Sequence, residues 1–125
     1  MPDSNASNDP WPRDIRYKSA EKTLEVEFED GTIFQYPAEF LRVESPSAEV
    51  QGHNPDQKKT VPGRRNVGIS SMEPVGNYAI RINFDDSHDT GIFSWRYLFE
   101  IGQNQDALWS GYLDALTREG LSRDP

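Results

Sequence analysis

The chain has 125 residues, a formal net charge of −8 and no cysteine. This length suffices for one domain with a hydrophobic core, and the lack of thiols excludes disulfides, thiolate catalysis and cysteine-ligated zinc or iron–sulfur clusters. The negative charge argues against DNA or RNA as a partner, because nucleic-acid affinity comes largely from Lys and Arg that neutralise phosphates.

The ends of the chain are polar, and the sequence contains no membrane-spanning pattern. Residues 1–10 are small and polar, and no window reaches the ~18 apolar residues of a membrane span. We therefore expect a disordered tail over residues 1–10, a single domain over residues 11–120 and a C-terminal tail over residues 121–125. The protein is expected in the cytoplasm, away from membranes.

The first part of the domain has the pattern of three strands and a short helix. Apolar residues alternate with charged ones in three runs between residues 15 and 36, which is the period of half-buried strands. The pair Asp30-Gly31 is a strong turn signal between the second and third runs. The pattern predicts an antiparallel meander, followed by a helix that begins near Pro37 and ends before Pro46.

Residues 45–66 contain three prolines, two glycines and four closely spaced cations. This composition predicts an exposed loop, and a connection of about 20 residues is longer than an inert one usually is. The cations Lys58, Lys59, Arg64 and Arg65 form the only dense basic cluster in an acidic chain. They are either part of a solvated loop or a docking site for an acidic protein partner or a phosphorylated ligand.

The second half of the domain has the pattern of a hairpin followed by two helices. Every second residue from Tyr78 to Phe84 is apolar, and this period resumes at Ile92 after a polar interruption. Ser94 is an N-cap candidate for a helix that ends at Gly102, and a second helix follows up to Gly120. Trp95 and Trp109 lie on the apolar sides of these helices, and we expect both in the core.

Together these elements predict an α+β fold. It consists of an antiparallel β-sheet, built from the meander and the hairpin, with a short helix after the third strand and two C-terminal helices packed on the sheet.

Two segments carry a family resemblance. Leu41–Val50, which reads LRVESPSAEV, and Val75–Trp95, which contains the turn DDSHD, together resemble the small N-terminal domain of gamma-butyrobetaine and trimethyllysine hydroxylases. The resemblance covers roughly residues 11–118. This type of domain also occurs alone in bacteria.

The resemblance implies a structural zinc site, held in the family by three cysteines and a histidine. In this chain Ser45, Ser47 and Val50 stand where the cysteines are expected, and only His88 is kept. A neutral hydroxyl is a poor zinc ligand and valine is none, so one imidazole cannot complete a four-coordinate site. Structural zinc is therefore not expected.

His88 has two interpretations. It could cap the hairpin turn through hydrogen bonds, which is a structural role. It could instead bind iron(II) or manganese together with Asp86 or Asp89, with His53 or Glu49 as an additional ligand candidate, since these metals favour histidine with carboxylates. The spacing of these residues leaves both interpretations open.

The resemblance brings no catalytic residue, because the iron-binding catalytic domain of the hydroxylases is not contained in these residues. No Gly-x-Ser-x-Gly motif indicates a hydrolase. We expect a non-catalytic accessory module with a protein partner. A similar domain is fused behind P-loop iron–sulfur carrier proteins in plastids. This resemblance implies that the module assists such carriers or their client proteins. The alternative is a metal- or small-ligand-binding domain associated with an iron/2-oxoglutarate oxygenase.

Overall fold

The computed structural model describes residues 9–125, so the expected tail over residues 1–10 lies almost entirely outside the described part. Six strands and four α-helices follow in chain order. The strands are β1 (Pro12–Lys18), β2 (Thr23–Phe28), β3 (Ile33–Pro37), β4 (Ile69–Val75), β5 (Ala79–Phe84) and β6 (Gly91–Ser94). The helices are α1 (Ala38–Val43), α2 (Ala48–Gln51), α3 (Trp95–Gln103) and α4 (Gln105–Glu119).

The predicted meander is present. β2 lies between β1 and β3 and pairs with both in antiparallel fashion. Alternate residues of β2, beginning at Leu24, are fully buried, as their period indicates. The turn before β3 contains Gly31 with a φ of 93°, and the Thr32 N–H donates to Asp30 Oδ1 at 2.9 Å. Glycine adopts this backbone conformation without steric cost.

The hairpin belongs to a second sheet rather than to the first. β5 lies between β4 and β6, again antiparallel. The two sheets meet through side chains: the Tyr17 hydroxyl accepts from the Ile69 N–H at 3.1 Å, and Lys22 Nζ donates to the Asn66 carbonyl at 2.6 Å. One continuous core of buried apolar residues includes side chains from both sheets. The α+β prediction is confirmed, with two three-stranded sheets instead of one.

Both C-terminal helices begin or end at the residues that the sequence indicates. The Ser94 side chain accepts from the Tyr97 N–H at 3.1 Å and caps α3. Gly120, with a φ of 68°, ends α4. The buried Tyr36 hydroxyl donates to the Leu98 carbonyl at 2.7 Å and so joins α3 to β3. Within residues 9–125, no helix is long and apolar enough to cross a bilayer.

The two helical tryptophans are less buried than the sequence indicates. Trp95 and Trp109 are half-buried and pack against the core from outside. Trp95 is the first residue of α3, directly after an edge strand, and its indole N–H donates to the Asn77 carbonyl at 2.9 Å. The prediction that these rings are core residues is therefore wrong: helical period identifies the apolar side of a helix but not how deeply each residue on that side is buried.

This difference predicts an order of stability losses. Phe93 is 0% exposed, so Phe93→Ala should lower the free energy of unfolding by about 3–5 kcal/mol. Trp95→Ala should cost less, about 1–3 kcal/mol, because part of the ring is already exposed to water. Urea denaturation of both variants measures the two losses. A larger loss for Trp95→Ala would contradict this position of the core.

Two segments that the sequence assigns to a loop and a tail are partly fixed. Ser45, Ser47 and Val50 are buried, and Val50 belongs to α2, so the expectation of an exposed loop is wrong for these three residues. Residues 121–125 pack on the loop: the Gly63 N–H donates to the Ser122 carbonyl at 2.9 Å, and the Arg65 N–H to the Arg123 carbonyl at 3.0 Å.

Candidate functional site

A buried polar cluster joins the segment after α1 to the turn between β5 and β6. Ser45 Oγ lies 2.9 Å from His88 Nε2, and His88 Nδ1 lies 3.1 Å from Glu49 Oε1. Ser45 is 0% and His88 6% exposed, whereas Glu49 faces solvent. A carboxylate only accepts hydrogen bonds, so neutral His88 carries its proton on Nδ1 and its Nε2 accepts from the Ser45 hydroxyl.

The start of α2 and the entry to β6 hold this cluster in place. The Ser47 side chain caps α2 by accepting from the Glu49 N–H at 3.1 Å, and its Oγ lies 2.7 Å from Thr90 Oγ1. The Ser47 N–H also donates to Ser45 Oγ at 3.3 Å. Gly91 is required by close approach, because a Cβ there would lie 2.5 Å from Ser45 Oγ.

Asp86, in the same turn, faces two arginines. Arg42 Nε donates to Asp86 Oδ2 at 2.7 Å, and Arg64 Nε lies 2.6 Å from the same oxygen without the alignment of a hydrogen bond. The His88 N–H donates to Asp86 Oδ1 at 3.1 Å. Burial alone would raise the pKa of Asp86, but the hydrogen bonds and the two guanidinium charges outweigh burial and lower it.

His88 is held in its neutral form. Burial lowers the pKa of His88, and the positive charge of Arg42 lowers it further. The carboxylates of Glu49 and Asp86 act in the opposite direction without reversing the shift. The cluster is therefore built around an uncharged imidazole that hydrogen-bonds at both ring nitrogens.

This shift predicts that the protein loses stability as the pH falls below about 6.5, the ordinary pKa of histidine, because the unfolded chain then binds a proton that folded His88 resists. Asp86 adds a loss in the same direction below about pH 4. Urea denaturation between about pH 7.5 and 5.5 isolates the histidine contribution. In His88→Gln the free energy of unfolding should depend much less on pH over this range. The control His53→Gln removes the exposed imidazole and should keep the pH dependence of the wild type. An unchanged slope in His88→Gln would contradict the assignment.

The residues predicted for a metal site around His88 do not form one group. His53 and Asp89 are exposed in separate segments, Asp86 is directed to the arginines, and Glu49 is the carboxylate that reaches the ring of His88. Nowhere in residues 9–125 do three or more His, Cys, Asp or Glu side chains come together in a way that could hold a metal ion.

The structure brings together the positions that the family resemblance assigns to zinc ligands. Ser45 contacts His88 directly, Ser47 contacts Ser45, and buried Val50 donates its N–H to the Ser47 carbonyl at 3.0 Å. The donor set does not fit zinc, because it consists of two hydroxyls, an alkyl side chain and one imidazole whose nitrogens are both engaged. A hydrogen-bonded serine network occupies this position instead.

The cluster resembles a catalytic triad in its connectivity: Ser45 takes the position of a nucleophile, His88 that of a base and Glu49 that of an orienting acid. Catalysis needs a substrate carbonyl next to the hydroxyl oxygen, yet Ser45 is fully buried and its Oγ is closed in by Ser47 and Gly91. The arrangement can therefore position the turn but cannot reach a substrate. The family resemblance was the one signal in the sequence that linked Ser45 to His88.

The predicted basic cluster is divided by the structure. Three of its members pair with carboxylates of the same chain: Lys58 with Glu44 at 2.7 Å, Arg64 with Asp86 at 2.6 Å and Arg65 with Asp124 at 2.6 Å. Lys59 is exposed and makes no ion pair with a described carboxylate. The four cations therefore do not form one surface available to a partner.

Comparisons with known proteins agree with this fold. Two solution NMR structures of other proteins are similar: one is 46% identical, with a TM-score of 0.81 over 94% of this chain and 93% of that chain. The other is 42% identical, with a TM-score of 0.82 over 95% of this chain and 89% of that chain. No curated protein matches the sequence.

A third similar structure is a crystal structure of a protein of unknown function from Acidithiobacillus ferrooxidans ATCC 23270, which belongs to the DUF971 family. It is 35% identical, with a TM-score of 0.62, and the match covers 73% of this chain and 91% of that chain. The family described as gamma-butyrobetaine hydroxylase-like, N-terminal, matches residues 15–99. The chain belongs to this family of gamma-butyrobetaine hydroxylase-like N-terminal domains.

Proposed function

We propose that this domain is a non-catalytic accessory module that binds another protein in the cytoplasm. The observation that carries the proposal is the closure of the Ser45–His88–Glu49 cluster: its hydroxyl is 0% exposed, so the one triad-like arrangement among the described residues is closed to substrate. Both ring nitrogens of His88 are already hydrogen-bonded, which favours an interaction module over a metal-binding domain.

The partner class that we propose is an iron–sulfur carrier protein or one of its client proteins. Support comes from the similar domain that is fused behind P-loop iron–sulfur carriers. The chain has no cysteine, so it would not hold a cluster through thiolates and would act by recognising the carrier or the client.

The test uses a purified P-loop iron–sulfur carrier loaded with a cluster and an apo client protein. Calorimetry should detect binding of this domain to the carrier or the client, and its addition should change the rate of cluster transfer. The absence of binding to either protein would contradict the proposed partner class.

A Ser45→Ala variant separates binding from catalysis. It lacks the hydroxyl that a nucleophile would need, so a non-catalytic module should support the wild-type transfer rate wherever its circular dichroism spectrum is unchanged. A folded Ser45→Ala variant that binds the carrier but has lost its effect on transfer would contradict the non-catalytic role.

A further inference from the structure

A cleft of about 350 Å³ lies between α4 and residues 58–60. Val43, Leu108 and Tyr112 contribute apolar surface to this α4 cleft. The Tyr112 hydroxyl donates to the Val61 carbonyl at 2.6 Å, so it fixes the helix to the loop on the other side. The α4 cleft is therefore a concave surface with walls held by a buried side chain.

One wall of the α4 cleft is a helix face with small side chains. Ala107, Gly111 and Ala115 are spaced by four residues, so they lie one above the other on α4 and all line the cleft. A Cβ added at Gly111 would meet no atom within 4 Å, which shows open space above the helix backbone. Another polypeptide segment can approach closely here.

Two of the three cations that form no ion pair among residues 9–125 line the same cleft. Nearly all Lys and Arg side chains of residues 9–125 form ion pairs; the exceptions are Lys22, Lys59 and Arg118. Lys22 donates to the Asn66 carbonyl at 2.6 Å. Lys59 and Arg118 both line the α4 cleft, on a chain whose net charge is −8.

The two carboxylates that line the α4 cleft cancel only part of its positive charge. Glu44 is 5% exposed at its side chain and is paired with Lys58 at 2.7 Å. Glu119 accepts a hydrogen bond from the Thr60 hydroxyl at 2.6 Å and keeps its negative charge, so the three cations that line the cleft exceed its carboxylates by one. An acidic ligand would meet unpaired cations here and mainly like charge over the rest of the surface.

We infer that the α4 cleft is the docking site for an acidic peptide segment of the partner protein. One carboxylate of the segment pairs with Lys59, a second pairs with Arg118, and small apolar side chains between them pack against Gly111 and Tyr112. This inference deepens the proposed function and rests on it. It also assigns Arg64 and Arg65 to intramolecular ion pairs, outside the docking site.

The probe is a synthetic peptide of alternating glutamate and alanine, added to the ¹⁵N-labelled protein and followed by amide chemical shifts. The amides of Thr60, Gly111 and Ala115 should shift, whereas those of β4 should not. The same peptide with glutamine in place of glutamate should shift them far less, and added salt should weaken the glutamate peptide because exposed charges are screened.

The double variant Lys59→Glu, Arg118→Glu should weaken the apparent Kd by about tenfold or more. The control Arg13→Glu, Arg16→Glu makes the same change in net charge on β1, outside the cleft, and should leave the Kd near the wild-type value. Equal weakening in both variants, or peptide shifts outside the cleft, would overturn the docking site. So would a wild-type protein whose cleft amides shift with its own concentration, since a second copy would then occupy the cleft.

The two proposals fail in different ways. If a carrier or client binds wild type and Lys59→Glu, Arg118→Glu equally well, the docking site is wrong and the proposed function stands. If the peptide docks in the α4 cleft but no carrier or client binds the protein, the docking site stands and the proposed partner class is wrong.

Discussion

Arg123→Ala is expected to lower the free energy of unfolding by about 3 kcal/mol. Arg123 donates from two nitrogens to Glu39, at 2.7 and 2.8 Å, and its guanidinium carbon lies 5.2 Å from the centroid of the Trp109 ring. Glu39 is 6% exposed, so losing Arg123 leaves a buried carboxylate without its counter-ion. Urea denaturation at neutral pH measures the loss.

Two controls identify the cause of this effect. Asp124→Ala removes an exposed ion pair with Arg65 in the same segment and should cost less than about 1 kcal/mol. Adding Glu39→Gln to Arg123→Ala should recover part of the loss, because the buried charge is then gone. If Arg123→Ala costs no more than Asp124→Ala, residues 121–125 behave as the tail that the sequence indicates.

The triple variant Ser45→Cys, Ser47→Cys, Val50→Cys is expected to become zinc-dependent. Ser45 hydrogen-bonds to His88, and Ser47 and Val50 follow in the same turn and in α2. Three thiolates at these positions with one imidazole form a complete tetrahedral donor set. Zinc at about 1,000-fold above its Kd should then stabilise the variant by about 4 kcal/mol. Melting curves with zinc and with a chelator, together with the measured metal stoichiometry, provide the test.

The wild-type protein is the reference for this experiment, and its melting temperature should respond neither to zinc nor to the chelator. Adding His88→Ala to the triple variant should weaken zinc binding, because it removes the fourth ligand. Stoichiometric zinc on the wild type would contradict the reading of Ser45, Ser47 and Val50 as lost ligand positions. A triple variant indifferent to zinc would show that these positions do not converge closely enough.

Local features of the fold could be predicted because their causes are local. Asp30-Gly31 makes its own turn, Ser94 caps the helix that it precedes, and Gly120 ends α4 in a left-handed conformation. The separation into two sheets could not be predicted in this way. Alternating residues show that a strand has one buried face, but not whether two hairpins share hydrogen bonds or only a core.

The geometry of the site could not be predicted, because it depends on contacts between residues that are distant in sequence. Composition shows four cations in the loop, but the partners of Lys58, Arg64 and Arg65 are carboxylates from other segments, so the free charge at Lys59 emerges only from the fold. The free charge at Arg118 could not be predicted either, because its sequence position is that of an ordinary arginine at the end of a helix. His88 was identified from its turn, whereas its hydrogen bond to Ser45 needs the packing of α1 against the hairpin.

The two separate sheets also affect the order in which the chain folds. Each sheet pairs only strands that are neighbours in sequence, so both can form early through short loop closures. The Ser45–His88 bond spans 43 residues and the Arg123–Glu39 pair spans 84, so these contacts should form after the rate-limiting step. Changes at His88 or Arg123 should then accelerate unfolding and leave the refolding rate near that of the wild type.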